Sequence, residues 1–406
     1  MTTETILDAV AAVEDRVVEL RHTLHRHPEP AFQETRTAAL VAEVLSELPL
    51  SVRTGVNRTG VSALLTGDAS RKDSHRERTI LLRADMDALP VQEETGLPFS
   101  SEVPGVMHAC GHDGHTAILL GTAMVLCGLK EDLPGNVRFV FQPAEETTGG
   151  AEGMIREGVL ENPRVEAALG LHLWGSAPRG IVEYKPGPFM AAPDSFTIRI
   201  LGRGGHAARP HECVDPVPIA ATVIQQFQNL VGRRVNPVLP AVISVCRVSA
   251  GNTHNVIPGE AELEGTVRTL DPALREEIPA MMEAVVRQVT AIHGADYRFD
   301  YDFRYPPLIN DSKITALLRD AAQTVLGRER VREAEYPTMG GEDFAYFAGA
   351  VPSTFFFLGI APEGETIQHH HPAFRVDDTV LKDGIAVFCR AVFDFLERDA
   401  VLEQRL

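Results

Sequence analysis

Val10, Val13, Val17, Leu20 and Leu24 recur at alternating steps of three and four, the spacing of one helical face, and Pro28 marks the end of that segment. A second helix is expected over residues 34–48, stopped by Pro49. Residues 57–66 read as a strand, and 67–78 as a polar, charged surface loop. Beyond it, four short apolar runs each lead into polar residues. Residues 79–82 run into Arg83-Ala84-Asp85-Met86-Asp87, and 137–141 into Gln142-Pro143-Ala144-Glu145-Glu146. Residues 167–171 run into His172-Leu173-Trp174-Gly175, and 354–360 precede the loop holding His369-His370-His371. Helical stretches at 116–129, 151–158 and 313–326 lie between them. Buried strands alternating with helices predict an α/β fold with a mainly parallel sheet. Ligands bind such sheets beyond the carboxyl ends of the strands, the side on which these polar groups fall.

The middle of the chain has another rhythm. Residues 194–201 alternate through Phe196, Ile198 and Ile200 like a half-exposed antiparallel strand, and 242–248 and 261–269 look alike. Helices at 216–231 and 272–293 and a strand at 297–303 complete an α+β unit. It starts after Pro186-Gly187-Pro188 and ends near Pro306-Pro307, with the α/β pattern resuming behind it. The expected organisation is a catalytic domain over 1–188 and 306–406, with a lid or dimerisation domain inserted at 189–305.

Composition narrows the possibilities. A length of 406 residues is long for one core, which agrees with two domains. An excess of 56 acidic over 38 basic residues argues against a nucleic-acid partner. The apolar runs are strand-length, so no membrane partner is expected. The start, Met1-Thr2-Thr3-Glu4-Thr5, lacks the features of a signal peptide, and a cytoplasmic location is the default expectation. Cys110, Cys127, Cys213, Cys246 and Cys389 are scattered and odd in number, which is no disulfide framework.

The chemistry concentrates in His108-Ala109-Cys110-Gly111-His112-Asp113-Gly114-His115. Cys-x-His sets a thiolate and an imidazole close enough to share one ion, and the glycines let the backbone fold around it. The plainer alternative is a glycine-rich loop with one free thiol and surface histidines, and His115 could be structural. Glu145 and Glu146 can be read as acids at a helix N-terminus. Beside a metal, they can instead divide ligation from proton transfer. His172 alone could be a hydrogen-bonded core residue. Together, Cys110, His112, Glu146, His172 and His370 supply five donors of a mixed type that suits zinc, manganese, cobalt or nickel. One structural zinc would need four and leave Glu145 without a role. Two ions sharing a carboxylate and a bridging water would use the whole set.

At these residues the sequence resembles the aminoacylase/carboxypeptidase group of co-catalytic metallopeptidases, on the hippurate hydrolase and indole-acetyl-amino-acid hydrolase branch. The matching stretches run in order from His25-Arg26-His27-Pro28-Glu29 through 82–90, 108–115, 142–146, 170–174, 204–216, 254–258 and 340–344 to 370–374. The resemblance implies two divalent ions per subunit, zinc or manganese first, held by Cys110, His112, Glu146, His172 and His370. It implies Glu145 as general base and Asp85 as a residue that orients the ligands. Arg83 stands where the wider group carries a ligand histidine. His206 is implied to stabilise the oxyanion, in trans across a homodimer, and Asn255, His211 and Glu342 to contact substrate. The expected activity is hydrolysis of the amide bond of an N-acyl-amino acid. The alternatives are a metallo-dipeptidase or carboxypeptidase of the same clan, a metal-dependent binding protein, and a thiol redox enzyme. The last lacks a Cys-x-x-Cys partner for Cys110.

Overall fold

In the computed structural model, which describes residues 1–67, 78–147 and 149–397, the apolar face of the first segment forms the helix Thr3–Arg26. Its Ile6, Val10, Val17, Leu20 and Leu24 are buried, and Thr2 caps it by accepting the Thr5 N–H. The loop expected at 67–78 lies almost wholly outside the described residues. The chain divides into two compact units. One comprises Met1–Gly187, Ile309–Tyr336 and Tyr346–Leu406, and the other Pro188–Leu308 with Pro337–Ala345. Residues 337–345, expected with the catalytic stretch, cluster instead with the second unit, where the Ala191 N–H donates to the Gly340 carbonyl at 2.9 Å.

The first unit is built on an eight-stranded sheet. Across it run Ser51–Val56, Gly60–Thr66, Asn136–Gln142, Thr79–Asp85, Ala167–Pro178, Ser353–Ala361, Val182–Tyr184 and Val331–Glu333. The four strands from Asn136–Gln142 to Ser353–Ala361 are mutually parallel, while the Ser51–Val56 and Gly60–Thr66 pair is antiparallel. The strand expected at 57–66 is therefore the second arm of a hairpin, turned at Asn57 and Arg58 with positive φ. Its first arm is mostly exposed and carries no apolar alternation to announce it. Apolar side chains from the helices Thr3–Arg26, His112–Gly128, Ser312–Leu326 and Leu381–Glu397 join those of the sheet in one core. The last helix is buried along most of its length, and its Asp383, Arg390, Asp394 and Glu397 follow one another along a single face.

Strand register sets the active layer. Asp85 pairs with Gln142, and Arg83 with Gly170, which brings His172 level with Asp85 at the carboxyl ends. The strand expected to stop at 171 continues to Pro178, so His172 lies within it.

In the second unit, the order Ala241–Ala250, Glu260–Thr269, Ala192–Leu201, Asp296–Asp302 forms an antiparallel sheet. One face carries Phe196, Ile198 and Ile200 into a core with Val223 and Phe227 of the helix Pro216–Arg233 and Ile278 and Met282 of Pro272–His293. Asp215 and Asp271 cap these helices, each followed by proline at the first helical position, where no N–H is needed. Among the described residues, no helix is long and apolar enough to cross a membrane.

Candidate metal centre

Gly111, at φ +88°, turns the chain between Cys110 and the helix beginning at His112. Left-handed backbone at this point favours glycine, and it lets two donor side chains leave the same turn. Cys110 Sγ stands 3.3 Å from His172 Nε2 and 3.7 Å from His369 Nδ1. Glu146 Oε1 lies 3.2 Å from His370 Nε2 and 3.8 Å from His112 Nε2. Donor atoms of Cys110, His112 and Glu146 all fall within 4.8 Å of one another. Two ligands about 2.0–2.3 Å from one ion, at near-tetrahedral angles, stand about 3.2–3.7 Å apart. Both ring nitrogens of His112 and Glu146 Oε1 are buried without a hydrogen-bond partner. The 3.2 Å approach of His370 to that oxygen thus lacks hydrogen-bond alignment. Orphaned donors of this kind are costly unless a cation gathers them. The residues present fit a metal.

Hydrogen bonds sort the histidines. The Leu173 N–H donates to His115 Nε2 at 2.8 Å, so His115 carries its proton on Nδ1 and gives it to Asp85 Oδ1 at 2.6 Å. His115 has no lone pair left for an ion. In His172, Nδ1–H donates to the Leu173 carbonyl at 2.8 Å, leaving the Nε2 lone pair facing Cys110. The Gly175 N–H donates to His369 Nε2 at 3.0 Å, which puts the proton of that ring on Nδ1.

Electrostatics point the same way. Burial, then Glu146 and Glu145, push the Cys110 thiol well above its usual range. Burial opposes charge on His112, but Asp85, Asp87 and Glu146 outweigh it and raise this imidazole to about 10. Burial lowers His172, and it takes His369 down to about 4. A site this acidic draws positive charge, and a divalent ion would deprotonate the thiol outright.

Buried carboxylates hold the donors in place. Asp85, at the end of its strand, accepts from Arg83 at 2.7 Å and from His115. Burial opposes its charge, yet His112, His115 and Arg83 hold it well below the carboxylate range. Asp87 accepts the backbone N–H groups of both Glu145 and Glu146 at 3.0 Å. Glu34 accepts the Ala144 N–H at 2.9 Å and the Thr59 hydroxyl at 2.6 Å, and Ala144 takes φ +58° between them. The turn that presents the paired glutamates thus rests on two acids. Sequence reasoning assigned no role to Glu34, Asp87 or His369. Asp87 follows Asp85 by two residues and His369 precedes His370, so proximity was a signal for both. Glu34 had none.

The remaining expected site residues belong to the second unit. His206 is exposed on the short strand Gly205–His206, paired with Val256 opposite, and the Ala207 N–H donates to the Asn255 carbonyl at 3.2 Å. His206 and Asn255 are therefore neighbours across that pair. His211 sits exposed in the turn Pro210–Glu212. Glu342 is 2% exposed and accepts the Phe344 N–H at 2.8 Å.

A parallel-centred sheet ending in a thiol, imidazoles and paired acids defines a hydrolase of the metallopeptidase kind. Residues 81–394 match the sequence profile of Peptidase family M20/M25/M40; the chain belongs to this family and is a hydrolytic enzyme. It is 47% identical over 311 residues to the N-acyl-L-amino acid amidohydrolase of Geobacillus stearothermophilus, covering 76% of this chain and 82% of that one. It is 38% identical over 387 residues to thermostable carboxypeptidase 1 of Saccharolobus solfataricus, covering 94% and 95% respectively. Among solved structures, the Bacillus subtilis YXEP protein, described as a dinuclear metal binding peptidase, superposes with a TM-score of 0.82 at 38% identity. That match covers 95% of this chain and 99% of that one.

Proposed function

We propose that this enzyme hydrolyses the amide bond of N-acyl-amino acids, with Cys110, His112, Glu146, His172 and His370 holding two divalent ions. The observation that carries this reading is the cluster of buried, unpartnered donor atoms on His112 and Glu146 beside Cys110. When bound, the ions supply Lewis-acid polarisation of the scissile carbonyl and lower the pKa of a water from about 15.7 towards about 7. The thiolate, imidazole and carboxylate set suits zinc or manganese first, with cobalt and nickel as alternatives. Glu145, 6% exposed and next to Glu146, takes the proton of the attacking water. It returns that proton to the leaving nitrogen as the carbon–nitrogen bond breaks, giving a carboxylic acid and a free amino acid. Asp85 keeps its orienting role through His115. In the second unit, His206 is assigned to the oxyanion of the tetrahedral intermediate, acting within a homodimer. Donors of that kind are worth about 3–4 kcal/mol. Asn255, His211 and Glu342 are assigned to the substrate.

The N-acyl-amino acid amidohydrolase among the relatives supports this substrate class, and the carboxypeptidase supports the second reading, cleavage of unblocked peptides. Chelator-stripped enzyme, restored with single metals and assayed on N-acyl amino acids and dipeptides, separates the two. Metal-dependent release of amino acid mainly from the acylated compounds is the expected result. Faster turnover of dipeptides would select the peptidase reading.

A further inference from the structure

His369 and His370 are adjacent in the chain, but their rings are differently engaged. His369 Nε2 accepts the Gly175 N–H at 3.0 Å, so the ring carries its proton on Nδ1. That Nδ1 faces Cys110 Sγ at 3.7 Å, within reach of a hydrogen bond to sulfur. The ring lies between Trp174 and Phe374, with centroids 4.9 and 5.1 Å away. Turning it over would break its bonds at both nitrogens. The backbone that holds it is equally confined: the Ile367 N–H donates to the Gly175 carbonyl at 2.8 Å, and a Cβ on Gly175 would stand 1.9 Å from the Ile367 carbonyl oxygen. His370, with φ +60°, turns away from its neighbour and brings Nε2 to Glu146.

We propose that His369 is a positioning residue that donates Nδ1–H to the Cys110 thiolate, holding and tuning that sulfur as a metal ligand without ligating the metal itself. The proposal rests on the reading of Cys110 as a ligand. A ring that spends its one lone pair on Gly175 has none for an ion, although its Nδ1 lies in the same cluster as Cys110 and His172. An N–H donor withdraws charge from sulfur, favours the thiolate over the thiol, and leaves the ion more strongly Lewis-acidic.

The two ring nitrogens can be tested apart in the full-length protein loaded with cobalt(II), using the sulfur-to-cobalt charge-transfer absorption. In His369→Gln, the amide oxygen can still accept from Gly175, but the donor to sulfur is gone. This variant should bind the same number of ions as wild type, about 10- to 100-fold more weakly, with the band moved to longer wavelength. His369→Asn places an amide N–H near the Nδ1 position and should return the band towards that of wild type. Loss of one ion in His369→Gln would make His369 a ligand and overturn the proposal, as would a band and affinity unchanged from wild type. Absence of the band in wild type, or its persistence in Cys110→Ser, would remove Cys110 from the centre and take the proposal with it. That failure is recognisable because it precedes any change at His369.

Discussion

At the scale of single residues, the centre separates side chains that ligate, move protons or hold others in place. Glu145 and Glu146 are neighbours on one turn, yet only Glu146 lies in the cluster with Cys110 and His112. Glu145→Gln should therefore keep its metal, measured by elemental analysis, while turnover falls by about 10²- to 10⁴-fold. Near-normal turnover would show that another group takes the proton. Gly175 makes a different demand. A methyl group there would meet the Ile367 carbonyl at 1.9 Å, so Gly175→Ala must move the segment leading to His369. It should cost about 2–3 kcal/mol, as overpacking does, seen as a lower denaturation midpoint together with weaker metal binding. A variant matching wild type in both would show that the segment yields freely.

At the scale of elements, the helix Thr3–Arg26 is tied to the helix that starts with His112. Arg21 and His25 both bond Asp113, at 3.0 and 2.8 Å, and the second nitrogen of His25 reaches Glu93 at 3.3 Å. Burial opposes charge on His25, but Asp113 prevails and raises it to about 9 from 6.5. The protonated ring thus favours the native state. Its contribution is complete below about pH 6.5 and is lost as pH rises through about 9. The shift corresponds to up to about 3 kcal/mol. His25→Gln should flatten the fall in stability across that window, as read by urea unfolding at several pH values. A slope equal to that of wild type would place the pH dependence elsewhere. Glu93 behaves in the opposite sense. Burial resists its charge, but His25 and Thr95 lower it to about 2, so its contribution is present above 4.5 and fades as pH falls. Because Asp113 adjoins His112, this tie also braces the start of the helix that carries His112.

At the scale of the whole molecule, the centre draws donors from four separated stretches of the first unit, so metal binding should stabilise that unit's native state. An ion at about 100 times its Kd adds about 2.7 kcal/mol. Thermal melts should accordingly rise by several degrees on adding metal and fall on chelation, and a melt indifferent to both would deny a native-state metal site. Much of this was legible in the chain. Apolar runs broken by Asp85 and Gln142 marked strand ends, because a buried parallel strand must be apolar and its carboxyl end need not be, whereas His172 lies inside a strand that runs on to Pro178. Alternation through Phe196, Ile198 and Ile200 revealed the second sheet, because one of its faces meets water. The edge arm Ser51–Val56 was not legible, since it is almost wholly exposed. The helix Leu381–Glu397 was passed over although Asp383, Arg390, Asp394 and Glu397 keep the spacing of one helical face. Residue types alone determined that a thiol, imidazoles and acids would converge at the sheet's carboxyl edge. The tertiary structure alone decided which histidine offers a lone pair. His115 and His369 stand beside expected ligands in the sequence, but the backbone N–H groups of Leu173 and Gly175 occupy their acceptor nitrogens. Those contacts join residues 58 and 194 positions apart, and no local pattern encodes a hydrogen bond of that range.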